Sequence, residues 1–368
     1  MDELGYWVAL SRVTGIGPGR LRLLKSHFGS LEHAWGASPA ELRAAGLDER
    51  VVEHIRDAKD TLSPEAEIAR LQQHDVQALT VDDPRYPALL SQAPDCPPVL
   101  YVRGELPTPG QMVLAIVGTR RPTSYGRQAT TEIVGGLVAS GVATVSGLAR
   151  GIDTIVHRET LERGGKTFAV LAAGLDAVYP AENLALARRI LEGGALLSEH
   201  PPEVKLRREN FLRRNRIMSG LSRGTVVIEA GEQSGALATA RNALDQNREV
   251  FAIPGSIFSP ASKGTNTLIQ RGEAKLVSSA ADILTEFGVE DVGPSAQSRP
   301  VLQADATQVR LLAEMGTEPV HTDDLARRLR LSSQEVSAAL TLLELQGVVQ
   351  DLGNMQYTVS GRWESEAK

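Results

Sequence analysis

Six short apolar runs, at 113–117, 142–145, 167–172, 195–198, 225–229 and 249–252, alternate with helical patterns at 126–140, 152–163, 182–191, 212–221, 236–246 and 266–271. Strands apolar on both faces must be covered on both faces, and helical crossovers between parallel strands supply that cover. The pattern therefore predicts an α/β, Rossmann-like core with a mostly parallel sheet over residues 75–290. Ligands are then expected outside the carboxyl ends of the strands. Apolar stretches at 76–81 and 98–102 extend the same sheet.

The flanks read differently. Residues 1–70 lack strand signals and predict an all-α, helix-hairpin-helix or SAM-like domain, with helices at 4–11, 20–27, from 38, and at 49–58. Ser38-Pro39-Ala40-Glu41 combines an N-cap, a proline at the first helical position and a capping-box glutamate. Periodicity disappears over a linker at 291–306, which contains Gly-Pro-Ser-Ala-Gln-Ser-Arg-Pro at 293–300. Helices at 307–315, 322–329 and 332–346, then strands at 348–352 and 356–360 about Gly353-Asn354, predict a C-terminal winged-helix domain over 307–360.

Composition narrows the chemistry. The 368 residues carry a net charge of −6, so any nucleic-acid site is a local basic patch on an acidic molecule. A single cysteine, Cys96, excludes an intramolecular disulfide framework and multi-cysteine zinc or iron–sulfur sites. Neither a leader-like segment nor an 18-residue apolar run is present, which predicts a soluble, cytoplasmic protein without membrane attachment. No phosphate-loop, dinucleotide, zinc-peptidase or nucleophile-elbow motif is found, so neither catalysis nor a cofactor or metal is expected.

Glycine-bearing loops that follow strands are the candidate anion sites. Gly118-Thr119-Arg120-Arg121 precedes a helix near Ser124, and Arg120, Arg121 and Arg127 have no acid among them. Backbone N–H groups at that helix start would receive a phosphate. Ser146-Gly147-Leu148-Ala149-Arg150 suggests a second wall, the Gly174 loop is a third candidate, Ser234-Gly235 opens a later helix, and Lys263 lies in the segment that follows the last strong strand. Residues 203–216 hold six bases and two acids around Phe211, including Arg213, Arg214 and Arg216 beside Asn215. Arginines near a helix start oppose its dipole, which favours a bound polyanion over a merely solvated face.

Together, Gly118-Thr119-Arg120, residues 146–153, Tyr179-Pro180-Ala181-Glu182-Asn183, Leu197-Ser198-Glu199, Phe211 with Arg214-Asn215-Arg216, Ser234-Gly235-Ala236-Leu237 and Pro254-Gly255 resemble the DNA-processing protein A (DprA/Smf) family. The resemblance implies a non-enzymatic, single-stranded DNA-binding recombination mediator that protects incoming strands and helps load RecA recombinase during natural transformation. It also implies a homodimer through the core, with weaker duplex binding as a further possibility. Carried over by motif, Gly118, Thr119 and Arg120 form one phosphate wall and Ser146, Gly147 and Arg150 another. Arg214, Asn215 and Arg216 stand beside them, with Ser234 and Gly235 on the pocket floor.

Three questions stay open at this stage. The core could instead be a nucleotide-binding or nucleotide N-glycosidase enzyme of the lysine-decarboxylase-like type, although the P-G-G-x-G-T loop of such enzymes is missing. The turn Gly15-Ile16-Gly17-Pro18-Gly19 suits auxiliary DNA binding and packing equally. The third predicted winged-helix helix, 332–346, has no lysine or arginine, which points to contact with protein rather than a DNA groove.

Overall fold

The structure, a computed structural model, describes residues 3–289, 305–315, 319–346, 348–351 and 353–359. The chain divides into two compact units, residues 1–293 and 294–368. Of the expected linker, only residues 305 and 306 are among those described.

The first unit begins with α1 (Leu4–Ser11), α2 (Pro18–Phe28), α3 (Leu31–Gly36), α4 (Pro39–Ala44), α5 (Glu49–Lys59) and α6 (Pro64–Gln73). The capping box at Ser38 forms with Glu41 as predicted. Then come β1 (Gln77–Thr80), α7 (Ala88–Ser91), β2 (Val99–Gly104), β3 (Val113–Val117), α8 (Ser124–Ala139), β4 (Ala143–Ser146), α9 (Ile152–Glu162) and β5 (Thr167–Val170). The unit closes with α10 (Leu184–Ile190), β6 (Ala195–Ser198), α11 (Arg208–Gly220), β7 (Gly224–Val227), α12 (Gly235–Asp245), β8 (Glu249–Ala252), α13 (Lys263–Gln270), β9 (Lys275–Leu276) and α14 (Ala280–Glu286).

The strands form one nine-stranded sheet in the order β1-β2-β6-β5-β4-β3-β7-β8-β9. Pairing is parallel from β6 to β9 and antiparallel at β1–β2 and β2–β6. The two-residue alternation of side chains sorts β3 cleanly. Val113, Ala115 and Val117 pack with Ile217 and Met218 of α11 and Ala236, Leu237 and Ala240 of α12. Leu114 and Ile116 pack with Ile133, Val134 and Leu137 of α8, Val156 of α9 and Ile283 of α14. Strand order reverses between β3 and β7, so the crevice at their carboxyl ends is the expected ligand position.

Residues 1–70, read from the sequence as a module of their own, have no separate core. Tyr6, Trp7, Leu10, Leu21, Leu24 and Ile55 join one apolar cluster with Val99, Tyr101, Ala169, Leu171 and Leu196 of the sheet region. Two of the three cations after the hairpin turn also have intramolecular partners: Arg20 pairs with Asp48 at 2.6 Å and Lys25 with Asp82 at 2.8 Å, while Arg22 is exposed. Both observations favour packing for this region. Trp7 is 2% exposed, and Trp7→Ala is expected to lower unfolding free energy by about 3–5 kcal/mol. A denaturant midpoint that does not move would show that the helices are dispensable to the sheet.

In the second unit, α15 (Ala306–Glu314), β10 (Val320–His321), α16 (Thr322–Leu329), α17 (Ser333–Leu345), β11 (Val349–Asp351) and β12 (Gln356–Val359) form a winged helix. Its three-stranded sheet has the order β10-β12-β11, and Leu311, Leu325, Val336, Leu340 and Leu343 fill its core. Strand β10 has only two residues, too few for a period to register in the sequence.

Candidate nucleic-acid interface

At the reversal point, the loops after β3 and β7 are tied by Thr119 N–H donating to the Glu229 carbonyl at 2.7 Å. The helix start beyond, predicted as an anion site, is already filled. Buried Glu229 accepts from Thr123 N–H at 2.9 Å and from Thr123 Oγ1 at 2.7 Å, while Thr123 Oγ1 caps Gly126 N–H. A Cβ on Gly126 would lie 2.5 Å from Glu229 Oε2. The chain's own carboxylate thus takes the place expected for a phosphate. An alternating reading of strand and loop could not show this, because Glu229 comes from the loop after β7, more than a hundred residues away.

The arginines of the two neighbouring loops nevertheless converge. Gly151, at φ +80°, lets the loop after β4 approach so closely that a Cβ there would lie 2.4 Å from the Thr119 carbonyl oxygen. Ile152 N–H donates to that same oxygen at 3.1 Å. This approach builds a cleft of about 640 Å³ lined by Arg120, Arg121, Arg127, Arg150 and Arg158, with Glu182 the one carboxylate among its lining residues. Arg158 lies one helical turn beyond Thr154 on the same outer face of α9 and follows no loop, so a search of strand–loop junctions passes over it.

Arg120 connects this cleft to an aromatic pair. Its guanidinium lies 5.1 Å from the ring centre of half-buried Phe211, and Phe211 meets Tyr179 edge-on at 5.8 Å. Tyr179 remains 54% exposed. A cation over a ring and a neighbouring exposed ring provide contacts for a phosphate and a base side by side. Tyr179 appears in the sequence within a motif but without a role of its own.

The other predicted site residues divide sharply. Helix α11 starts four residues before the expected position, so Arg213, Arg214 and Arg216 are interior to it and the dipole argument does not apply to them. Arg214 is buried, and its Nη1 donates to the carbonyls of Val170 and Gly147, the latter at 2.7 Å. Burial lowers its pKa to about 10, with Asp153 opposing the shift and Arg120 adding to it. The Gly147 peptide is held at both ends, because its N–H donates to Asp153 Oδ2 at 3.1 Å. A Cβ there would lie 2.2 Å from Arg214 Nη2, so this glycine makes room for an arginine rather than for a ligand.

Burial likewise removes other predicted contacts. Ser146 Oγ donates to the Ile116 carbonyl at 2.7 Å, and Asn215 Nδ2 to the Gly235 carbonyl at 3.1 Å. Arg216 pairs with Glu199 at 2.5 Å and with Asp95 at 3.4 Å. Gly174 is buried where a Cβ would meet the Pro201 carbonyl at 2.6 Å, and half-buried Gly118 lies where one would meet Ile152 at 2.6 Å. Ser234 caps α12 as expected, and Gly235 is open to solvent. Arg213 and Lys263 are exposed and stand 3.8 Å from Glu199 and 3.9 Å from Glu232. Of the predicted site, therefore, Arg120, Arg121 and Arg150 meet in the cleft with Phe211 attached, whereas Arg214 is buried on backbone carbonyls and Arg216 on carboxylates, outside the cleft's lining.

Residues 77–288 match the family described as DNA recombination-mediator protein A. Protein Smf of Synechocystis is 37% identical over 97% of this chain and 98% of its own length. The chain belongs to the DNA recombination-mediator protein A family. The matched segment runs from β1 to just beyond α14, and a second match, to the DprA winged helix domain, spans residues 294–355. The X-ray structure of DNA processing protein A from Streptococcus pneumoniae superposes with a TM-score of 0.66 at 33% identity, covering 78% of this mediator-family chain and 98% of its own. A Helicobacter pylori DNA processing protein A, from a study of its single-stranded DNA binding mode, gives a TM-score of 0.52 at 29% identity over 58% of this chain and 95% of its own.

Proposed function

We infer that this chain is a recombination mediator that binds single-stranded DNA without sequence preference. The observation that carries the reading is Arg120, which lines a five-arginine cleft while stacking on Phe211. Arginine–phosphate contacts supply affinity but no base information, whereas a ring can stack only on a base freed from the duplex. The binding mode named for the Helicobacter pylori relative supports the same substrate. Arg121, Arg127, Arg150 and Arg158 continue the phosphate path from Arg120 in this reading. Gly118, Thr119, Gly147, Gly174, Ser234 and Gly235 shape the loops behind it.

Protection of incoming strands in the cytoplasm, loading of RecA during natural transformation and pairing of two cores complete the proposal. Strand β9 ends the sheet and leaves an edge at which a second copy could pair. Helix α17 lacks basic residues and exposes Leu342 and Leu345, which suits a protein contact for the winged helix. Among the described residues, no helix is long and apolar enough to cross a membrane. The glycosidase alternative would need Glu229 free to act on a substrate, yet both of its carboxylate oxygens accept from Thr123.

The test is a salt titration of oligonucleotide binding, single- against double-stranded, with wild type and Arg120→Ala. The variant is expected to weaken single-strand binding alike across sequences and to flatten the salt slope by about 0.7. Equal affinity and slope in a folded variant would reject the cleft as the DNA site.

A further inference from the structure

Inside the cleft, Arg150 is not free. Its Nε and Nη2 donate to the two carboxylate oxygens of Glu182 at 2.8 and 3.0 Å, a bidentate pair of the kind a phosphate would form with the same guanidinium. Both side chains are more than half exposed, so the pair contributes little to the fold and can open without disturbing the core. Thr154, next to Arg150 in the cleft lining, and Asn183, next to Glu182, are joined by a 2.9 Å hydrogen bond. The two loops that carry the pair are therefore fastened independently of it. Asn183 also donates to the Leu148 carbonyl at 2.9 Å.

We propose that Glu182 is a built-in competitor for the DNA backbone, a carboxylate that occupies Arg150 until a phosphate displaces it. This rests on the cleft being the DNA site. Once displaced, the carboxylate stays on its fastened loop beside the incoming phosphate, and like charges at that range repel. As a strand loosens, Glu182 closes again on Arg150 and prevents immediate recapture. Its effect is therefore expected mainly on dissociation, where most affinity differences among variants of one interface arise. Such a residue suits a protein that must hold a strand and then give it up. It also works against ligands bearing one phosphate, which have no other contacts to offset the displaced pair.

The experiment uses the full-length protein and an unstructured oligothymidylate, with affinity and dissociation rate followed across a salt series. Glu182→Gln keeps the size but removes the charge and replaces one of the two acceptor oxygens with a donor amide, so the bidentate pair with Arg150 is lost. It is expected to bind about two- to five-fold tighter, to dissociate correspondingly more slowly, and to steepen the salt slope by about 0.7. In an Arg150→Ala background the same substitution is expected to change affinity by much less, because the carboxylate acts through that guanidinium. Unchanged or weaker binding by Glu182→Gln would overturn the proposal. So would an equal gain with and without Arg150, which would reduce Glu182 to a general surface charge. Arg120→Ala separates the two levels: if it weakens binding while Glu182→Gln does nothing, the competitor fails and the cleft stands. If Arg120→Ala is also silent, both fail.

Discussion

Phe211→Ala is expected to weaken single-stranded DNA binding by about 5- to 150-fold while leaving the fold intact, the range set by ~1–3 kcal/mol for one base–aromatic stack. Phe211 is half-buried, and what it loses within the chain is the edge of Tyr179 and the guanidinium of Arg120. That second loss matters for the reading of the variant. Without the ring, Arg120 keeps its charge but not its platform, so the effects of Phe211→Ala and Arg120→Ala should fall short of additive when combined. The salt slope distinguishes them: Phe211→Ala should leave it nearly unchanged, because no phosphate contact is deleted, whereas Arg120→Ala flattens it. Fluorescence anisotropy at two or three salt concentrations measures both. An affinity equal to wild type would mean that the ring packs against the protein and not against a base.

Arg214→Ala is expected to act on stability instead, lowering unfolding free energy by about 3–5 kcal/mol. The guanidinium ties the carbonyls of Gly147 and Val170, the latter at the end of β5, to the interior of α11. Its removal leaves those acceptors unpaired and deprives Asp153 of a favourable charge, although burial already pushes that carboxyl's pKa up. His157, buried nearby and lowered by burial to about 3, cannot replace the lost cation at neutral pH. Denaturant unfolding measures the loss, and binding below the new midpoint should keep the wild-type salt slope. A fully stable variant with a flattened slope would return Arg214 to the list of phosphate ligands.

Much of the fold is readable in the chain because burial on both faces leaves a local mark. A strand such as Val113–Val117, apolar at every position, admits few fates other than the middle of a covered sheet, and the helices between strands set the parallel direction. Short or half-exposed elements leave no such mark. Strand β9 has two exposed residues, and α3 only six residues, too few for a helical period to stand out. The membership of residues 1–70 in the sheet's core was also hidden, since an amphipathic helix looks the same whether its apolar face meets other helices or a strand.

For the site, sequence alone determined where charge and glycine accumulate, and it led to the loops after β3 and β4 and to α11 with Phe211. It could not tell an arginine that reaches solvent from one that reaches a carbonyl, because both have the same composition and spacing. Tertiary structure decided that Arg120, Arg121 and Arg150 face one cleft with Arg127 and Arg158, that Arg214 and Arg216 turn inward, and that Glu229 fills the helix start meant for an anion. The reason is that periodicity records which side of an element is buried, whereas a polar side chain's partner is chosen by whatever distant loop folds against it.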